Sequence, residues 1–405
     1  MDHPPDPLAT ELAKLRTDDP YYAVAVVDRV LAAAREREAS DLHLTPFAEG
    51  LELRLRVDGV LQTMHRFPAA AAANVVSRLK VVAELLTYRT DVPQEGRIRG
   101  APGAVEMRVS TFPTLYGERA VVRLFGGRTR LQQLDDLGLP AEIRTRLGEL
   151  LGETAGAILA TGPAGCGKTT TMYACLRELA GQGGIRNLVS LEDPVEVAIG
   201  GVGQTQVNAA AGLDLATGLR FLLRQDPEVI FVGEIRDRAT AEAALQASLT
   251  GHLLLSTFHA GSAAEAVGRL SDMGIEPYML RSGILAILSQ RLVRRLCDCR
   301  RPATDAADRL GLAVSEAYLS VGCAVCRGSG YRGRQVIAEL LVTERSDLGR
   351  AILSRSDAGR LEALAEEAGM VTRWQRACRL IEEGITSPAE VRRVLGFASQ
   401  PGGGV

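Results

Sequence analysis

The stretch Ala157-Ile158-Leu159-Ala160-Thr161-Gly162-Pro163-Ala164-Gly165-Cys166-Gly167-Lys168-Thr169-Thr170 determines how this chain is read. A short apolar run leads into a glycine-rich turn that fits G-x-x-x-x-G-K-S/T, and a helical pattern, Thr170 to Leu179, comes after it. Strand, loop and helix in that order predict a phosphate cradle. Glycines let the backbone curl so that its N–H groups face a phosphate at the positive end of a helix. Lys168 is then placed to bridge two phosphates and the Thr169 hydroxyl to hold Mg²⁺, while Gly162, Pro163, Ala164, Gly165, Cys166, Gly167 and Thr170 form the rest of the loop.

Further along the chain, three more apolar runs, Leu188 to Leu191, Val229 to Val232 and Leu253 to Leu255, each lead into a polar turn and a helical pattern. Continuous apolar strands alternating with helices predict a parallel sheet covered on both faces. Ligands of such a sheet bind at the carboxyl ends of its strands. The residues after each run are Glu192-Asp193, Gly233-Glu234, and Ser256-Thr257 with His259. Glu234 is the first candidate for metal and water contact, and Thr169 and Asp193 complete the expected magnesium set. Glu192 competes with Glu234 for the role of general base, and residue pattern alone leaves that choice open. His252 and His259 would stand about 20 Å apart along an extended strand. Only one can meet a given phosphate; His259 is the candidate sensor of the γ-phosphate.

A chain of 405 residues has room for two or three domains. Residues 1–20 read as a flexible tail. Residues 21–125 read as a small α+β domain: a helix from Tyr21 to Ala39, a strictly alternating strand from Leu51 to Val57, hairpin residues at Asp58-Gly59, a helix from Ala69 to Leu86, and strands over Val105 to Ser110 and Arg119 to Phe125. Gly126-Gly127 opens an expected linker, 126–133. The α/β domain then runs over 134–340, a helical region over 341–397, and a glycine-rich tail over 398–405. The expected fold class is α/β: a RecA-like P-loop parallel sheet, a smaller N-terminal α+β domain and a helical C-terminal region.

Composition narrows the function classes. A net charge of −2 with acids and bases interspersed argues against nucleic acid as a stable ligand. No apolar run reaches the roughly 18 residues needed to cross a bilayer, and the N-terminus has no apolar signal core. A cytoplasmic location with reduced cysteines is expected. The chain uses lysine only at Lys14, Lys80 and Lys168, so a surviving lysine marks a place where a compact ammonium is needed or chance has left one.

Four blocks now carry a resemblance: Gly162 to Thr171, Leu191 to Glu196, Arg224 to Asp237, and Thr250 to His259. They are similar to the Walker A, Asp, Walker B and His boxes of the type II secretion and type IV pilus assembly ATPases. Ala39 to His43, Pro93 to Arg97, Met107 to Thr111, Gly369 to Thr372 and Glu383 to Thr386 resemble the same family, so the likeness spans roughly 21–397. It implies ATP as substrate and a homohexamer. It also implies a place at the cytoplasmic face of the inner membrane, reached through a platform protein, with hydrolysis driving pseudopilin or pilin assembly. It further implies that arginines of the small domain, here Arg97, Arg108 and Arg123, complete the nucleotide site. Two other readings stay open: a retraction or DNA-uptake motor of the same superfamily, and a nucleotide-switched scaffold.

Exporters of this family tend to carry a four-cysteine zinc element. Cys323-Ala324-Val325-Cys326 has the expected spacing, but Cys297-Asp298-Cys299 has one intervening residue where two are usual, so Zn²⁺ and four bare thiols are both open. Cys166 stands where the family has serine. Beside Lys168 and a helix N-terminus, its thiol pKa is expected to fall, which would make it open to alkylation with ATP protecting it. Many members also carry a further N-terminal docking module, whereas this chain begins almost at the core.

Overall fold

The computed structural model describes residues 6–98, 107–124, 133–343 and 346–397. The chain divides into two units: the first takes the described residues up to 124 together with Gly322–Arg332, and the second takes those from 133 to Val321 and from Gly333 onward.

In the first unit α1 (Pro7–Ala13) and α2 (Tyr22–Glu36) precede β1 (Asp41–Phe47), β2 (Gly50–Val57) and β3 (Val60–Pro68). α3 (Ala69–Val82), β4 (Gln94–Ile98), β5 (Met107–Thr114) and β6 (Gly117–Leu124) complete it. The strands form one sheet in the order β3-β2-β1-β6-β5-β4, with every neighbouring pair antiparallel. Alternation decides its faces. Leu51, Leu53 and Leu55 of β2 are fully buried, with Leu42, Leu44, Val109 and Val122, against α2 and α3. The intervening Glu52, Arg54 and Arg56 point the other way and are half-buried. Asp58 and Gly59, both at positive φ, turn β2 into β3 as their sequence predicts.

Part of the expected tail is helix. Asp6 caps α1 by accepting the Leu8 N–H at 2.9 Å, Pro7 starts it, and Leu8 and Leu12, one turn apart, enter the core. The Asp6 carboxylate also accepts from Arg37, the residue that ends α2. The expected boundary at Gly126-Gly127, the strand ends at Val105, Glu106 and Phe125, and the last-residue tail lie outside the described residues. Lys80 is fully buried, its Nζ 2.8 Å from Glu118 Oε1 and 2.7 Å from the Arg89 carbonyl. Its place among so few lysines has a structural cause: a compact ammonium fits a closed pocket with one carboxylate.

The second unit contains α4 (Ala141–Leu151), β7 (Gly156–Thr161), α5 (Lys168–Ala180), β8 (Leu188–Glu192), β9 (Val202–Gln206), α6 (Leu215–Leu222), β10 (Val229–Val232), α7 (Arg238–Leu249) and β11 (Leu253–Phe258). After these come α8 (Ala263–Asp272), α9 (Pro277–Gly283), β12 (Ile284–Leu296), two short strands, β13 (Arg301–Pro302) and β14 (Tyr318–Leu319), and β15 (Tyr331–Val342). Its sheet runs β15-β12-β7-β11-β10-β8-β9, with parallel pairing from β12 to β9. Alternate residues of each central strand feed different cores: Leu159 and Ile230 one, Ile158 and Phe231 the other. Both faces are therefore apolar, which is why these strands read as unbroken hydrophobic runs. The four runs named from sequence are β7, β8, β10 and β11, and they lie side by side.

Two long strands, β12 and β15, were not anticipated. Ile284 to Leu288 is a fifth apolar run closed by polar residues, Ser289-Gln290-Arg291, the same signature as the other four. Of the helical C-terminal region, α10 (Ser346–Leu353) and α11 (Ala358–Glu367) send Leu348, Ile352, Leu361 and Leu364 into the core of the sheet. α12 (Arg373–Glu382) and α13 (Pro388–Leu395) close a smaller cluster around Trp374, Ile381 and Val391 with Val293 of β12.

Candidate functional site at the carboxyl edge of the parallel sheet

The cradle begins where β7 ends. Gly162 has φ +145°, and a Cβ there would come within 2.5 Å of the Gln290 carbonyl oxygen and 2.6 Å of Cys166 Sγ, so only glycine fits. Gly167, at φ +93°, turns the loop into α5. Lys168 folds back across the loop, its Nζ donating to the carbonyls of Gly162 at 2.9 Å and Pro163 at 3.1 Å. Burial pushes its ammonium below the ordinary lysine range, while the charges of Cys166 and Glu234 act in the opposite direction.

The neighbouring strand ends supply the acids. At the end of β10, Glu234 Oε1 lies 2.7 Å from His259 Nε2 at the end of β11, and Glu234 Oε2 accepts from Arg236 Nε at 2.8 Å. Arg236 reaches on toward Asp193, 3.8 Å away after β8. Side chains fasten β11 to β10: Ser256 Oγ donates to the Val232 carbonyl and Thr257 Oγ1 to the Gly233 carbonyl, each at 2.7 Å. Glu192 differs from Glu234. It is 2% exposed, and Tyr173 Oη, Ser190 Oγ (2.6 Å) and Gln204 Nε2 (3.0 Å) all donate to it. Burial, then the Glu192 hydrogen bond and charge, push the Tyr173 hydroxyl far above the ordinary phenol range, so Tyr173 stays a donor. His252, at the entry of β11, bonds the Ala247 carbonyl and takes no part in the carboxyl edge.

Several participants went unread in the sequence. Three arginines hold the turn after His259: Arg269 donates to the His259 carbonyl, and Arg291 (2.6 Å) and Arg373 (3.0 Å) donate to the Gly261 carbonyl. Buried Glu339 fixes Arg373 and accepts the Ala263 N–H. Gln290 bonds both the loop and α5. Nothing in local spacing marks Tyr173, Gln204 or Glu339, whose partners lie on other elements.

The expectation for Cys166 is corrected. The residue is 4% exposed, and burial pushes its thiol pKa up, outweighing the opposite pull of Lys168 and Arg291. Proximity to positive charge favours a thiolate only where the thiolate can also be solvated.

The three small-domain arginines stand in one row. Arg97 pairs in register with Arg108, Arg108 with Arg123, and Arg123 with Asp41, whose other neighbour is Arg56. Asp41 holds Arg123 at 3.1 Å and Arg56 at 3.5 Å. All three line a cleft of about 630 Å³ with Glu95 and Ser110.

Cys297, Cys299, Cys323 and Cys326 bring their sulfurs within 4.8 Å of one another. Cys323 and Cys326 Sγ are 3.7 Å apart, against about 3.8 Å for two corners of a tetrahedral Zn–S₄ site with 2.3 Å bonds. The backbone N–H groups of Cys323 and Gly330 donate to Cys326 Sγ, as suits a metal-bound thiolate. The donor set fits zinc in spite of the short first spacer.

The sequence profile described as type II/IV secretion system protein matches residues 16–393. The chain is 43% identical over 401 residues to the type II secretion system protein E of Aeromonas hydrophila, a match covering 96% of this chain and 79% of that protein. The chain belongs to the type II/IV secretion system protein family. As a member of this family of secretion ATPases it is an ATP-hydrolysing P-loop enzyme. The type IV pilus assembly ATPase PilB of Thermus thermophilus is 39% identical over 384 residues, covering 92% of this chain and 43% of PilB. Two solved structures share the fold: the Legionella pneumophila ATPase DotB (TM-score 0.66, 21% identity, 91% of this chain and 95% of DotB) and the pilus retraction motor PilT with bound ADP (TM-score 0.61, 22% identity, 93% and 98%). Among the described residues of this secretion ATPase no helix is long and apolar enough to cross a membrane.

Proposed function

We propose that this ATPase is the motor of a filament-assembling machine. In this reading it is a homohexameric ring that hydrolyses ATP to ADP and phosphate and drives pseudopilin or pilin assembly, in type II secretion or type IV pilus extension. The observation that carries the reading is the placement of the Lys168 loop after β7 and of the Glu234–His259 pair after β10 and β11, strands that lie side by side with their carboxyl ends at one sheet edge.

In the proposed site Lys168 exchanges the Gly162 and Pro163 carbonyls for the β- and γ-phosphates. Thr169, Glu234 and Asp193 offer the hard oxygens that suit Mg²⁺. Bound there, Mg²⁺ supplies positive charge against the phosphate oxygens. Glu234 orients the attacking water, and His259 Nε2, 2.7 Å from Glu234 Oε1, is placed to hold or pass a proton. Glu192, with three donors upon it, fixes α5 through Tyr173. Arg97, Arg108 and Arg123 supply cations to the developing charge, which ties chemistry to closure of the ring. Head-to-tail contacts that close on themselves make such a ring. The four cysteines hold a structural Zn²⁺. The motor works at the cytoplasmic face of the inner membrane through a platform protein and needs no nucleic acid.

Lys168→Ala and Glu234→Gln are expected to abolish ATP turnover by the purified chain while its unfolding midpoint persists, and to abolish filament assembly in cells carrying them in place of the natural gene. Removing one such charge-stabilising group costs about 10²–10³ in rate. Robust hydrolysis by both variants would overturn the site, and normal filament assembly without hydrolysis would overturn the motor.

A further inference from the structure

Gln290 sits one residue past Ser289, which pairs with Thr161 at the end of β7. That register sets it beside the phosphate loop, where it is 2% exposed. Its side-chain amide is used at both ends: Nε2 donates to the Cys166 carbonyl at 2.8 Å, and Oε1 accepts from Thr171 Oγ1 at 3.0 Å. Its backbone carbonyl crowds Gly162, and its Nε2 lies 3.0 Å from where a Cβ on Gly167 would stand. One residue thus touches the start of the loop, its last turn and the first turn of α5.

The peptide joining Cys166 to Gly167 is planar, and in a trans peptide the carbonyl and the following N–H point to opposite sides. With the Cys166 carbonyl drawn to Gln290, the Gly167 N–H is turned away from β12. N–H groups so turned are what a phosphate cradle offers. The Thr171 bond sets the rotation of α5 against the same amide, so loop and helix are held in one phase.

We infer that Gln290 is a positioning residue for ATP hydrolysis, aiming the Gly167 N–H at the nucleotide's phosphates through its grip on the Cys166 carbonyl and the Thr171 hydroxyl. The inference rests on the ATP-binding role of the loop. Gln290 makes no contact with the reacting atoms. Its effect falls on the affinity for phosphate already in the ground state, so nucleotide binding and KM move more than kcat does. Glutamate at this position would set a carboxylate against the Cys166 carbonyl and add negative charge beside the phosphates. Methionine would keep the length and lose both hydrogen bonds.

The test uses the full chain with Gln290→Met, Gln290→Glu and Thr171→Val, reading the Kd for ADP with Mg²⁺, KM and kcat for ATP, and the unfolding midpoint without nucleotide. Gln290→Met is expected to raise the Kd and KM about ten-fold, with a smaller change in kcat. Gln290→Glu should weaken binding further, and Thr171→Val, which frees only one end of the amide, should weaken it about two- to three-fold. Wild-type Kd and KM in both Gln290 variants would overturn the inference. So would a lowered unfolding midpoint with unchanged nucleotide affinity, since that is the signature of a core residue alone. If Gln290→Met does not fold, Gln290→Glu and Thr171→Val decide by the same measurements. Failure of the wild-type chain to bind ADP or hydrolyse ATP would instead sink the ATPase reading beneath it.

Discussion

The two sheets of this ATPase keep their charged groups in different places. In the six-stranded sheet they stand on a face, in a row that crosses five strands from Arg97 through Arg108, Arg123 and Asp41 to Arg56. In the seven-stranded sheet the central strands are apolar on both faces, and Lys168, Glu192, Glu234 and His259 appear only at or beyond the carboxyl ends. Connectivity is the cause. Hairpins leave one face of an antiparallel sheet open to solvent, whereas helical crossovers cover both faces of a parallel one and leave only its ends. Functional residues are accordingly found by alternation in the first sheet and, in the second, among the polar residues that close each apolar run.

Lys80 and Glu118 break the pattern, because they place a charge pair on the covered side of the antiparallel sheet. Lys80→Ala, which strands the Glu118 carboxylate in that interior, is expected to cost about 3–5 kcal/mol in denaturant unfolding. The paired change Lys80→Met with Glu118→Leu should recover most of it, and a single variant as stable as wild type would mean that the pair is open to water. At the parallel sheet's edge, Glu192→Gln turns an amide N–H₂ against one of three donors and should cost about 1–3 kcal/mol of stability. It should also reduce kcat less than Glu234→Gln does; an equal loss would make Glu192 the base. On the open face, Asp41→Asn releases Arg123 and Arg56. Because Arg123 is largely exposed, the expected stability loss is at most about 1 kcal/mol, and the effect should appear in KM for ATP.

The smallest effect is expected at Cys166. A thiol whose pKa burial has raised carries less thiolate at any given pH, so alkylation at pH 7.5 should be slower than for an exposed cysteine. The rate should climb only as pH passes above the ordinary thiol range. Rapid inactivation by iodoacetamide at neutral pH, blocked by ATP, would show that Cys166 is more open than its geometry indicates.

Much of the site was legible from residue order. Gly162 to Thr169 announces its own geometry, because a phosphate loop is a local structure whose glycines, lysine and hydroxyl are consecutive. Glu234 and His259 could be placed because each apolar run ends where a strand must end. Alternation in β2 and the Asp58-Gly59 turn were equally local. Cys166 was misread because Lys168 and a helix N-terminus stand next to it in sequence, while the burial that outweighs them exists only in the packed structure. The helix over Pro7–Ala13 was missed because its two apolar residues are too few to show a period. Gln290 carried a readable signal, a polar residue closing an apolar run, but its partners Cys166 and Thr171 could not be read from β12 itself.

Residue order alone set which segments become strands and helices and which residues leave the strand ends, since periodicity and turn chemistry act over a few neighbours. How those ends are used was settled by packing in three dimensions. Packing left Glu234 half-open between His259 and Arg236 while Tyr173, Ser190 and Gln204 closed over Glu192. It buried a thiol expected to be reactive, and it brought β12 against the cradle. These outcomes depend on desolvation and on hydrogen bonds between elements far apart in the chain, quantities that exist only once the chain has packed.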